Sequence, residues 1–149
     1  QSTLLEGIQG AELAGYEYRR TDGTALHRSG SSCTNCHMGE SGGNNDAGLH
    51  SWNYTETSCT ECHPNDVPTT VTGYEEAYQN LEDLLLAEGL LEIDEDGETS
   101  IVPNPTADLI PAAALWNYRM LYYDHSHGVH NPFYATDLIQ NSIDALNGN

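Results

Sequence analysis

The chain contains four cysteines, and all of them fall in two copies of one five-residue pattern, Cys33-Thr34-Asn35-Cys36-His37 and Cys59-Thr60-Glu61-Cys62-His63. C-x-x-C-H is the spacing at which two thiols add to the two vinyl groups of a haem while the adjacent imidazole ligates iron from below. The pattern thus predicts two covalently bound haem c groups, with Cys33, Cys36, Cys59 and Cys62 as the thioether positions and His37 and His63 as the proximal iron ligands. Zinc held by four thiolates would use similar C-x-x-C pairs but has no need of histidine after each. Disulfides within C-x-x-C are usually redox-active and seldom structural.

Each six-coordinate iron needs a second axial ligand, and five histidines remain: His27, His50, His125, His127 and His130. His130 stands directly before Asn131-Pro132, a helix cap followed by proline at the first helical position, so its backbone is fixed and its ring aimed. His50 lies in the loop joining the two motifs, within chain reach of either iron. These two are the expected distal ligands. His125 and His127, in the same glycine-containing turn as His130, are alternatives, as is His27 on an arm that reads as mobile; one of them could be donated by a neighbouring copy. Met120 fits the packing face of its helix, and Met38 adjoins a proximal ligand and cannot reach the opposite side.

The elements that must position these groups read as a mainly α fold with extensive irregular loops and a small β-hairpin, wrapped around two haems. Residues 1–149 form a single dihaem domain, loop-rich over 1–72 and helical over 73–149. Residues 1–32 read as irregular with a helical turn near Leu13 to Tyr18, and Ser41 to Asn45 is a loop by composition. Tyr74, Ala77, Tyr78, Leu81, Leu84 and Leu85 recur on one helical face, with Thr72 or Gly73 at its start and Gly89 at its end. Asp96-Gly97 between Leu90–Asp94 and Thr99–Val102 signals a hairpin. The carboxylates Asp94, Asp96 and Glu98 lack the remaining positions of a calcium loop. A second helix is expected from about Thr106 to Tyr123, with Pro111 pushing its start later and Leu109, Ala113, Trp116, Met120 and Tyr123 on the packed face. A third runs from Asn131-Pro132 to about Leu146, giving about three helices in the C-terminal half.

Composition narrows the setting. Of 149 residues, 23 are acidic and only four basic, all arginine (Arg19, Arg20, Arg28, Arg119), for a net charge of −19. Nucleic acid is excluded as a partner because no basic patch exists to displace counterions from phosphate, and no apolar run approaches the length of a membrane span. With 38% hydrophobic residues and a single Phe, side chains alone predict a thin core, leaving the haems to supply it. Thioether attachment occurs after export, and the chain reads as a mature protein, extracellular or at the cell surface, with a periplasmic location as the alternative. Asn53-Tyr54-Thr55 is a glycosylation sequon.

Ala113 to Tyr118, followed by Asp124-His125-Ser126-His127-Gly128-Val129-His130-Asn131-Pro132-Phe133-Tyr134-Ala135 and the closing helix, resembles the C-terminal module of multihaem c-type cytochromes, the group that includes nitrite-reductase-like and extracellular respiratory cytochromes. The resemblance covers the haem motifs and the last 40 or so residues. It implies that His130 is a distal haem ligand. It also implies electron transfer to redox partner proteins or an extracellular acceptor, with copies forming a homo-oligomer or a head-to-tail homopolymer, an extracellular filament with a continuous haem chain. The chain departs from the group in carrying two haem motifs rather than four or more, and in having no lysine, the proximal ligand often found in the catalytic nitrite reductase type. A small dihaem peroxidase or reductase with one open iron is the alternative.

Overall fold

The computed structural model describes residues 1–40, 47–103 and 108–148. The expected loop at Ser41 to Asn45 and the expected helix start at Thr106 lie outside them. Seven α-helices and one two-stranded antiparallel sheet occur among the described residues: α1 (Ser2–Glu6), α2 (Leu26–Gly30), α3 (Cys33–His37), α4 (Thr57–Thr60), α5 (Tyr74–Ala87), β1 (Leu91–Ile93), β2 (Thr99–Ile101), α6 (Leu109–Asp124) and α7 (Pro132–Leu146). The mainly helical class with one hairpin is as expected. No described helix is long and apolar enough to cross a membrane.

Helices α5, α6 and α7 pack on one another and bury their apolar stripes. Helix α5 begins after Gly73 in the left-handed region (φ 78°) and turns its Tyr74, Leu81 and Leu85 inward. Gly89 (φ 69°) terminates it, donating to the Leu86 carbonyl. Helix α7 opens as its sequence dictates: the Asn131 side chain accepts from the Tyr134 amide, and Pro132 occupies the first turn. The hairpin pairs Leu91 with Ile101, and its turn is held by the Asp94 carboxylate, which accepts from the Asp96 and Glu98 amides at 2.9 Å each.

These three helices differ from expectation in two respects. They enclose a side-chain core of their own, centred on Leu81, Leu85, Leu121, Tyr134, Leu138 and Ile139, so this half does not depend on a cofactor for its interior. Each fully buried leucine here contributes about 1.5–3 kcal/mol. Helix α6 keeps Ala113 and Met120 of its predicted face against the core but turns Leu109, Trp116 and Tyr123 outward. Ala113, Ala114, Asn117, Tyr118, Leu121 and Asp124 are buried, whereas Leu109 is 80% exposed and Trp116, Tyr122 and Tyr123 are each more than half exposed. The apolar pattern misled because two polar residues, Asn117 and Asp124, occupy core positions where the neighbouring chain satisfies their hydrogen bonds. Pro111 falls in the first turn of α6, where its missing N–H has no helical partner to lose, and it does not delay the start.

The N-terminal arm is neither helical near Leu13 to Tyr18 nor loose. Its helical turns are α1 and α2, and the stretch between is laced to α6 and α7. Ala11 exchanges two hydrogen bonds with the Asn117 amide (2.7 and 3.1 Å). The Arg19 amide donates to Asp137 at 2.7 Å, and the Asn131 side chain donates to the Arg20 carbonyl at 2.9 Å. This lacing fixes the arm just before His27.

Candidate functional site

Both C-x-x-C-H segments form single helical turns, where a loop would be read from their glycine- and asparagine-rich surroundings. Ser32 caps α3 by accepting from the Asn35 amide, which places Cys33 and Cys36 on one face with His37 following. The second motif continues past α4, with the Cys62 and His63 amides both donating to the Cys59 carbonyl (3.1 and 2.8 Å). The two turns pack against each other closely enough that a Cβ on Gly39 would stand 2.1 Å from the Ser58 hydroxyl oxygen. Burial pushes the Cys59 thiol above its ordinary pKa, and the neighbouring Cys36 and Glu56 push the same way. None of the four cysteines is paired in a disulfide, and Cys33 and Cys62 are exposed.

Each motif histidine faces a second imidazole. His27 stands opposite His63 with ring centroids 6.2 Å apart, and His130 stands opposite His37 at the same 6.2 Å. Imidazole nitrogens on opposite sides of one metal, each about 2 Å from it, put the ring centroids about 6 Å apart. Edge-on aromatic packing has the same spacing, as Tyr74 and His127 show at 6.2 Å, so it is the attachment motif beside each imidazole pair that favours a shared metal.

The other nitrogen of these rings is also accounted for. His27 Nδ1 meets the Val129 carbonyl at 2.6 Å, His37 Nδ1 the Trp52 carbonyl at 2.8 Å, and His130 Nδ1 the Asp124 carboxylate at 2.8 Å. All three partners are acceptors only, so Nδ1 carries the hydrogen and Nε2 keeps its lone pair for a metal. The backbone is bent to provide these acceptors. Trp52 lies in the left-handed region (φ 61°) behind Gly48 (φ 75°), where any Cβ would come 2.2 Å from the Glu40 carbonyl oxygen. His125, His127 and Gly128 also have positive φ, turning the chain sharply out of α6 to bring His130 back. That turn is pinned by the Val71 amide, which donates to the His127 carbonyl at 3.1 Å.

The seven histidines divide cleanly. His27, His37, His63 and His130 are half-buried, and His50, His125 and His127 are exposed. His50, expected as a distal ligand, sits in a 3-10 turn at Leu49–Ser51, and no ring contact joins it to His37 or His63 among the described residues. The ring beside His63 is that of His27. His125 lies beside Tyr122, and His127 pairs with Glu75 and lies edge-on to Tyr74. His27 reads from sequence only as an alternative because its arm reads as mobile; the lacing partners Asn117, Asn131 and Asp137 are too distant in sequence to signal otherwise.

Two further features fit a large planar group. A cavity of about 510 Å³ contains His27, Cys62 and His63 together with Val71, Val129 and Phe133, within the usual range for cofactor sites. Between Ser31 and Thr72, only Gly48 and Thr55 are buried among the described residues, and Leu49, Trp52 and Tyr54 are largely exposed. A segment of this length with almost no interior of its own is compatible with folding around a bound group. No cluster of three or more His, Cys, Asp or Glu among the described residues could hold a bare metal ion, so the four thiols do not form the tetrahedral set that zinc would need.

No known protein family, curated protein or solved structure matches this chain. The likeness to multihaem c-type cytochromes therefore stands on the quoted residues alone.

Proposed function

We propose that this chain is a non-catalytic electron carrier holding two haem c groups. One is attached at Cys33 and Cys36 with His37 and His130 as axial ligands; the other is attached at Cys59 and Cys62 with His63 and His27. The observation that carries this reading is the pairing of each motif histidine with a second imidazole at the separation a shared iron requires. When bound, haem supplies a one-electron iron couple. The residues of this chain do the rest. Thiols anchor the group, paired imidazoles occupy both axial positions, and the contact between α3 and α4 keeps the two sites adjacent. With both faces closed, no position is left for substrate, which favours electron transfer over a peroxidase or reductase. All four imidazoles come from one chain, so a ligand from a neighbouring copy, the strongest ligand-based reason to expect a filament, is not part of this proposal. Because thioether attachment follows export, the proposal includes a location outside the cytoplasm.

Intact-mass measurement of the protein from a host with haem-attachment machinery tests the proposal directly. A mass exceeding the 16.3 kDa polypeptide by two haems, with low-spin ferric spectra and sluggish cyanide binding, is expected. A bare polypeptide refutes it, and prompt cyanide binding to one iron favours the enzyme.

A further inference from the structure

The four paired histidines do not have equivalent surroundings. His27 and His37 give their Nδ1 hydrogens to backbone carbonyls, and His63 has no carboxylate partner among the described residues. His130 alone gives its hydrogen to a carboxylate, Asp124 Oδ1 at 2.8 Å. Asp124 closes helix α6 and is only 2% exposed. Its second oxygen accepts from the Ser126 amide at 3.2 Å and from the Ser126 hydroxyl. The Gln1 amino group lies 3.7 Å from Oδ1 but is 60% exposed, so water screens much of its charge.

Resting on the haem reading above, we infer that Asp124 is a positioning residue that makes the His37–His130 site the lower-potential member of the pair, so that an electron entering there passes on to the His27–His63 site. Two effects act in the same direction. A hydrogen shared with a full negative charge raises the basicity of the imidazole at Nε2 more than one shared with a neutral carbonyl, and a more basic ligand favours ferric iron. A buried negative charge one ring away from the metal also opposes the arrival of an electron, with little screening. Near the other site no carboxylate accepts from His27 or His63 among the described residues, and the positive charge beside its lining, on Arg20, is exposed and screened. Phe133 lines its cavity, and the Arg20 guanidinium lies over that ring at 5.7 Å, its only described side-chain hydrogen bond a long one of 3.5 Å to the Thr24 carbonyl. Arg19 is also over Phe133 but is neutralised by Asp137.

The transfer is balanced within the molecule. With haem bound, one electron given up by the group that His37 and His130 would hold would be taken up by the group that His27 and His63 would hold. The Nδ1 hydrogen stays on His130 throughout, and no other reactant is consumed.

Potentiometric titration of the holoprotein, followed by visible absorption, tests the inference. The wild type should show two one-electron steps. Asp124→Asn keeps an oxygen acceptor without the charge and should raise the lower midpoint, leaving the upper one in place. A tenfold change in the relative stabilisation of ferric and ferrous iron, at the low end for ligand-supporting residues, is about 59 mV. Ser126→Ala retains the carboxylate but removes a hydroxyl donor that disperses its charge, and should lower the same midpoint. This second variant decides the matter if the first does not fold, and general loosening of the site would not produce opposite signs. Unmoved midpoints, or movement of the upper one, overturn the role of Asp124. A wild type lacking low-spin spectra would instead overturn the ligand assignment on which it rests.

Discussion

Replacing His27 with alanine separates the two candidate partners of His63. The wild-type pair has a spacing that one shared metal would give, and removing the His27 ring vacates the space opposite His63 that a small exogenous ligand needs. His27→Ala should therefore convert one of the two irons from low-spin to high-spin. Carbon monoxide binding to the reduced protein should rise from almost none to one equivalent per chain. The lost hydrogen bond to Val129 contributes about 1 kcal/mol of stability, too little to unfold a domain with a helical core of its own. A tethered ligand acts at an effective concentration on the order of millimolar or more, so added imidazole at about that concentration should restore the low-spin spectrum. His50→Ala, by contrast, should leave both spectra and gas binding unchanged. If the His50 variant opens an iron and the His27 variant does not, the ring-spacing argument is wrong.

Three further outcomes follow from the packing. Gly128→Ala places a methyl group 3.0 Å from Tyr74 and Val71 at a φ of +84°; it should destabilise the protein by more than about 1 kcal/mol in urea titration and weaken the low-spin signature of the His130 site. Leu85→Ala empties a fully buried position of the helical core and should cost about 2–5 kcal/mol while leaving the absorption of the two sites intact in the folded protein. Burial, with nearby negative charge, raises the pKa of Tyr74, Tyr78, Tyr118 and Tyr134 above the ordinary 10.0. The unfolded chain would release these protons first, so stability should be full below pH 10 and fall as pH rises beyond it, which urea midpoints at increasing alkaline pH would reveal.

Much of the scaffold was legible because local rules and tertiary structure agree. Asn131-Pro132 opens α7, Gly89 ends α5, and Asp96-Gly97 turns the hairpin, each through a backbone preference that needs no distant partner. The buried face of α6 was not legible, since Asn117 and Asp124 are core residues only because Ala11, Ser142, Ser126 and His130 satisfy them. The site divides the same way. The six motif positions are written in contiguous sequence, and His130 was legible from the cap that follows it. His27 was not, because its placement depends on hydrogen bonds between the arm and helices more than a hundred residues further along, for which short-range patterns carry no signal. Nearness to the motifs in sequence favoured His50, yet its 3-10 turn leaves it in water.

The segment from Ser31 to Thr72, almost without interior, is gripped from outside at both ends: His27 reaches it from the N-terminal arm and His130 from the far side of α6. If haem binds as proposed, the helical half, which encloses a core of its own, and the arm laced to it would already hold His130 and His27 in place. Cys33 and Cys62, standing in solvent, would be within reach of the machinery that forges the proposed thioether links. Maturation would then be a late, local tightening of one strap across a finished frame, and a chain that missed it would persist as a folded but colourless protein.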